Sequence, residues 1–91
     1  MELTARKIVF SGRVQGVGFR FTALNIASRY KLKGYVRNIP DGDVEMLAQG
    51  TAEMIDECIR DLQDSFVGSI SHIDIEEATP DPKFTDFRIT F

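Results

Sequence analysis

The sequence predicts an α/β (α+β) fold of the ferredoxin-like, split βαβ type: an antiparallel sheet with two helices on one face and a short extra strand at one edge. Three observations lead there. Across 91 residues, period-2 and period-3.6 apolar patterns follow one another in the order β-α-β-β-α-β. A glycine-rich stretch separates the first strand pattern from the first helix pattern, and Ile39-Pro40-Asp41-Gly42 supplies a tight turn between the two middle strands. Two βαβ halves of this kind close with both helices on the same sheet face.

The first strand spans Lys7 to Val14, where Ile8, Phe10 and Val14 share one parity and Lys7, Ser11 and Arg13 the other. After the glycine loop, Phe19, Ala23, Ile26, Ala27 and Tyr30 recur at helical spacing and form a core-facing stripe. Neither Phe19 nor Arg20 is a good N-cap; Thr22 could serve slightly later, leaving the first N–H groups for an anion. Gly34 to Asn38 and Asp43 to Gln49 form the hairpin strands. Thr51 is suited to cap a second helix, whose Ile55, Cys58, Ile59, Leu62 and Phe66 make the next apolar stripe. Ile70 to Glu77 alternates through Ile73 and Ile75. Beyond Pro80-Asp81-Pro82, the alternation of Phe87, Ile89 and Phe91 predicts a last strand suited to an edge.

A chain of this length predicts a single domain over residues 1–91, with any site on the face of its one core. The apolar share of 43% and charged share of 27% are those of an ordered globular protein. A net charge of −3 argues against broad capture of nucleic acid while leaving room for a local basic pocket. Met1 to Lys7 lacks the apolar stretch and cleavage site of a signal peptide, so a cytoplasmic protein is expected. No apolar run approaches the roughly 20 residues of a membrane span. The lone Cys58 cannot form an internal disulfide.

The run Gly12-Arg13-Val14-Gln15-Gly16-Val17-Gly18-Phe19-Arg20 carries the chemistry. Glycine admits positive φ and a close backbone approach, so successive N–H groups can converge on one oxyanion. An arginine at the loop exit can add a bidentate, charge-assisted grip on phosphate. The run lacks the Lys-Ser/Thr of a Walker A loop and contains no Gly-x-Gly-x-x-Gly. Counting back from Arg20, the nucleophile position of a Cys-x5-Arg phosphatase loop holds Val14, which excludes a phosphocysteine there.

Cys58 lies on an apolar helix stripe and reads as packing, while His72, the only histidine, reads as a solvated strand residue. The carboxylates have no metal-ligand spacing, so neither a metal nor another cofactor is expected. A phosphate cradle, one arginine and the polar Asn38 remain. Without a strong acid or base, such a site suits phosphoryl transfer to water when the leaving group needs no proton. A carboxylate meets that condition, which favours acyl phosphates over alkyl phosphate esters.

Gly12 to Arg20, followed by Gly34-Tyr35-Val36-Arg37-Asn38-Ile39-Pro40-Asp41-Gly42-Asp43-Val44 and Gly50, resembles the acylphosphatase family in both of its motifs. The element order extends the resemblance over nearly the whole chain. It implies a hydrolase that cleaves small-molecule acyl phosphates to a carboxylate and inorganic phosphate. The matching positions imply that backbone N–H groups of Gln15, Gly16, Val17, Gly18, Phe19 and Arg20 hold phosphate. They further imply that the Arg20 side chain orients it and that Asn38 places the attacking water. A monomer without nucleic-acid or membrane partners is expected.

Two alternatives stand beside this reading. Related domains occur inside carbamoyl-transfer proteins that mature hydrogenases, although this short chain lacks the rest of such a protein. A ferredoxin-like RNA-binding module could instead present Phe10, Tyr35 and Phe87 to bases, against the acidic balance.

Overall fold

The computed structural model describes residues 2–91, so Met1 lies outside the described residues. Its elements are β1 (Thr4–Gly12), α1 (Phe19–Arg29), β2 (Lys33–Asn38), β3 (Val44–Gly50), α2 (Ala52–Ser65), β4 (Ile70–Ala78) and β5 (Phe87–Ile89). The sheet order is β4-β1-β3-β2-β5. The first four strands pair antiparallel; β5 joins the edge parallel to β2, placing Gly34 opposite Phe87 and Val36 opposite Ile89. The extra edge strand of the sequence reading is therefore present and runs alongside β2.

β1 starts earlier than the alternation suggests and ends earlier too. A register shift between Ser11 and Gly12 bends the strand as it leaves β4, and the Arg13 N–H then donates to the Ser69 carbonyl at 2.8 Å. Val14 keeps its inward position beyond the strand and is buried in the core. In α1 the first helical residue is Phe19, and the N-cap is Gly18 in the left-handed region with no side-chain cap, so Thr22 does not cap this helix. At α2 the expected cap forms: Thr51 Oγ1 accepts from the Met54 N–H at 3.2 Å. Phe66 closes α2 as its C-cap and stacks on Phe19, with ring centroids 4.8 Å apart.

Ile8 and Phe10 of β1, Val36 of β2 and Val44, Met46 and Ala48 of β3 form the sheet side of the core. Both helices cover that face, α1 through Phe19, Ala23, Ile26 and Ala27, and α2 through Ile55, Cys58, Ile59 and Leu62. Tyr30 caps α1 and ties the helices together, its hydroxyl donating to Asp61 Oδ2 at 2.6 Å. Asp61 also holds the tyrosine proton, moving the phenol above its ordinary range mainly through this hydrogen bond. On the opposite face, the chain between β4 and β5 packs over the sheet. Gln49, buried there, exchanges two bonds with the Asp81 backbone at 2.8 and 3.0 Å, and Phe84 lies against Tyr35.

The position of Cys58 makes it a packing residue. It is fully buried, and loss of solvation pushes its thiol from an ordinary 9.0 up to about 12. Between those values the unfolded chain gives up a proton that the folded chain retains, so this contribution to stability is lost as pH rises through the window. Cys58→Ala should keep kcat within twofold and lower stability by about 1 kcal/mol, measured by steady-state assay and urea unfolding. Loss of turnover in the folded variant would overturn the assignment.

Candidate active site

The loop between β1 and α1 shapes an anion cradle. Gly16 and Gly18 adopt φ of 76° and 79°, a region that costs an L-residue roughly 1–2 kcal/mol. No backbone carbonyl among the described residues accepts an N–H from Gln15 to Arg20; the first such bond at the start of α1 runs from Thr22 to Gly18. These donors combine with the positive end of the α1 dipole.

Gly16, Gly18, Phe19, Arg20 and Asn38 line one cleft of about 300 Å³, with Val14, Phe21, Ile89 and Phe91 as apolar walls. Arg20 belongs to the first turn of α1, while Asn38 ends β2 and pairs with Val44. Their convergence follows from the sheet order: β1 and β2 both run antiparallel to the β3 strand between them, so the β1–α1 loop and the end of β2 lie at the same end of the sheet. The Arg20 guanidinium lies 5.4 Å from the Phe91 ring centroid and has no carboxylate partner among the described residues. Asn38 Oδ1 is buried and accepts no hydrogen bond from the protein.

Gln15 and Val17 are not among the residues that line this cleft. Gln15 faces the neighbouring side of Asn38, in a second cleft with Arg37, Ile39, Pro40 and Phe91; Val17 is exposed and lines neither cleft. The Gln15 side chain reaches the β2–β3 turn: Nε2 donates to the carbonyls of Ile39 and Asp43, both at 2.9 Å. Nothing in the local pattern distinguishes this glutamine from a solvated loop residue.

Glu45 is the other feature the periodicity does not disclose. It is buried on the sheet face away from the helices, where Arg37 Nε donates to Oε1 at 2.9 Å and the Tyr35 hydroxyl donates at 3.0 Å. Burial, followed by the Glu45 hydrogen bond, raises the Tyr35 phenol above its ordinary range. His72 is exposed on β4, as the alternation predicts. Among the described residues, no three His, Cys, Asp or Glu side chains cluster as a metal site, and no helix is long and apolar enough to cross a membrane.

The RNA-binding alternative loses two of its aromatic side chains. Phe10 is fully buried and Phe87 nearly so, which removes both from base stacking. Tyr35 remains half-buried beside Phe84.

Comparisons with known proteins converge on one family. The acylphosphatase family model matches residues 6–89. A Chlorobaculum tepidum acylphosphatase is 43% identical over 86 residues, covering 90% of each chain. The crystal structure of acylphosphatase from Bacillus subtilis superposes with a TM-score of 0.89 at 32% identity, covering 99% of this chain and 100% of that one. A full-length HypF structure matches with a TM-score of 0.83 and 32% identity, covering 99% of this chain but 12% of that much longer protein.

Proposed function

Because this chain belongs to the acylphosphatase family, we propose that it hydrolyses acyl phosphates by direct attack of water on phosphorus at the Arg20–Asn38 cleft. The observation that carries the mechanism is the meeting of Arg20, Asn38 and the glycine loop in one cleft. Backbone N–H groups from Gln15 to Arg20 hold the phosphoryl oxygens, and the guanidinium adds a bidentate contact that fixes their orientation.

The side-chain amide of Asn38, which lines the cleft, holds the water with the water's lone pair aimed at phosphorus. The new O–P bond forms as the acyl O–P bond breaks, and its electron pair leaves with the carboxylate. A water proton passes to a phosphate oxygen, so no side-chain base is required and no phosphoenzyme forms. The cradle stabilises charge on the equatorial oxygens throughout.

A site without a placed general acid should discriminate by leaving group. We expect kcat/KM for acetyl or benzoyl phosphate to exceed that for glycerol phosphate by at least about 10³-fold, and the activity to survive EDTA. Steady-state release of inorganic phosphate tests both. Comparable rates for the two classes, or activity lost to EDTA and restored by a divalent ion, would contradict the proposal.

A further inference from the structure

We propose that Gln15 is a positioning residue whose side chain clamps the β2–β3 turn and thereby fixes where Asn38 holds water. This inference rests on the hydrolytic reading above, because it assigns Gln15 a role only through Asn38. Two independent facts support it. The amide Nε2 donates both of its hydrogens across the gap between loop and turn, to Ile39 and Asp43, each at 2.9 Å. Those acceptors are the base of the turn itself: the Ile39 N–H donates to the Asp43 carbonyl at 3.0 Å, and the Ile39 carbonyl accepts from the Gly42 N–H at 3.2 Å.

The contact spans 24 and 28 positions in sequence, so it is a tertiary link and not a local loop bond. Asn38 immediately precedes Ile39, and its Oδ1 has no protein partner to orient it. Its direction therefore depends on the backbone that Gln15 grips. The same residue contributes its main-chain N–H to the cradle in the proposed mechanism, so one glutamine sets the spacing between held phosphate and held water. A shift of about 1 Å between such groups can cost on the order of 10²-fold in rate.

The test is Gln15→Met, which preserves length and removes both donors. Expected is a fall in kcat of about tenfold or more, with KM and the inhibition constant for inorganic phosphate within about twofold of wild type. In an Asn38→Ala background the same change should lower kcat by less than about twofold, because both act through one water. Gln15→Glu adds a readout that packing alone would not move. Ionised, the introduced carboxylate turns acceptor atoms toward two carbonyl oxygens; protonated, it regains one donor. The kcat of this variant relative to wild type should recover as pH falls through the carboxyl range, with wild type controlling for Asp41, Asp43 and Arg37 in and beside the turn. In the wild-type protein, the Gln15 side-chain amide protons should exchange with solvent more slowly than those of exposed Gln63.

Wild-type kcat in folded Gln15→Met overturns the clamp, as does an equal loss in both backgrounds, or phosphate inhibition weakening in step with kcat. Fast exchange of the Gln15 amide overturns it whether or not the variants fold. Wild-type kcat in Asn38→Ala has a different meaning, since it removes the reading on which the clamp depends.

Discussion

Arg20→Gln is expected to leave little activity, with kcat/KM for an acyl phosphate reduced on the order of 10³-fold or more and the loss shared between a higher KM and a lower kcat. In the proposed mechanism the guanidinium meets phosphate before the reaction and stabilises its charge during it, so both parameters should move. Glutamine keeps some reach but loses the charge and the planar fork, and charge-assisted bonds are roughly twice as strong as neutral ones. The backbone donors remain. Inorganic phosphate should therefore still inhibit, at a higher concentration than for wild type. Arg20→Gln with unchanged phosphate inhibition would remove Arg20 as a phosphate ligand.

Asn38→Ala should lower kcat on the order of 10²-fold with KM nearly unchanged, because the lost contact is to water and not to phosphate. Phosphate should inhibit this variant as it inhibits wild type. Stability should move the other way. A buried oxygen without a partner costs about 1–3 kcal/mol, and alanine removes it at the expense of a small loss of packing. The Tm of Asn38→Ala should accordingly match or exceed that of wild type, the pattern of a residue retained for activity against stability. Kinetics and thermal unfolding of the one variant decide the matter: a low Tm together with wild-type kcat would reverse both parts.

How much of this is legible in the sequence depends on the range of the signal. Ile8 and Phe10, the two helix stripes and the Pro-Asp-Gly turn declare themselves through neighbours in sequence, and the observed elements follow them closely. Arg20 is marked in the sequence because it stands at the exit of a loop whose composition points to an anion. From the residues alone Asn38 is visible only as a polar group near a turn, its water-placing role being implied by the resemblance; its meeting with Arg20 is a product of sheet order. The side-chain roles of Gln15, Glu45 and Gln49 give no sign, since each is polar in sequence and acquires its role from a partner on another segment. The alternation extends past the end of β1 for the same reason: the shift at Ser11 and Gly12 occurs against β4, which the local alternation does not contain.

That dependence of the loop on β4 has a consequence for the order in which the protein is made. Every residue proposed to touch phosphate or water lies between Gln15 and Asn38, yet the entry to the loop is held by Ser69 and Ile70 and its helix by Phe66. A nascent chain thus carries its full set of ligands on the order of seconds before it can arrange them, at roughly 5–20 residues per second of synthesis. Catalytic competence arrives with the last third of the chain, when pairing across the whole length of the sequence closes β1 against β4.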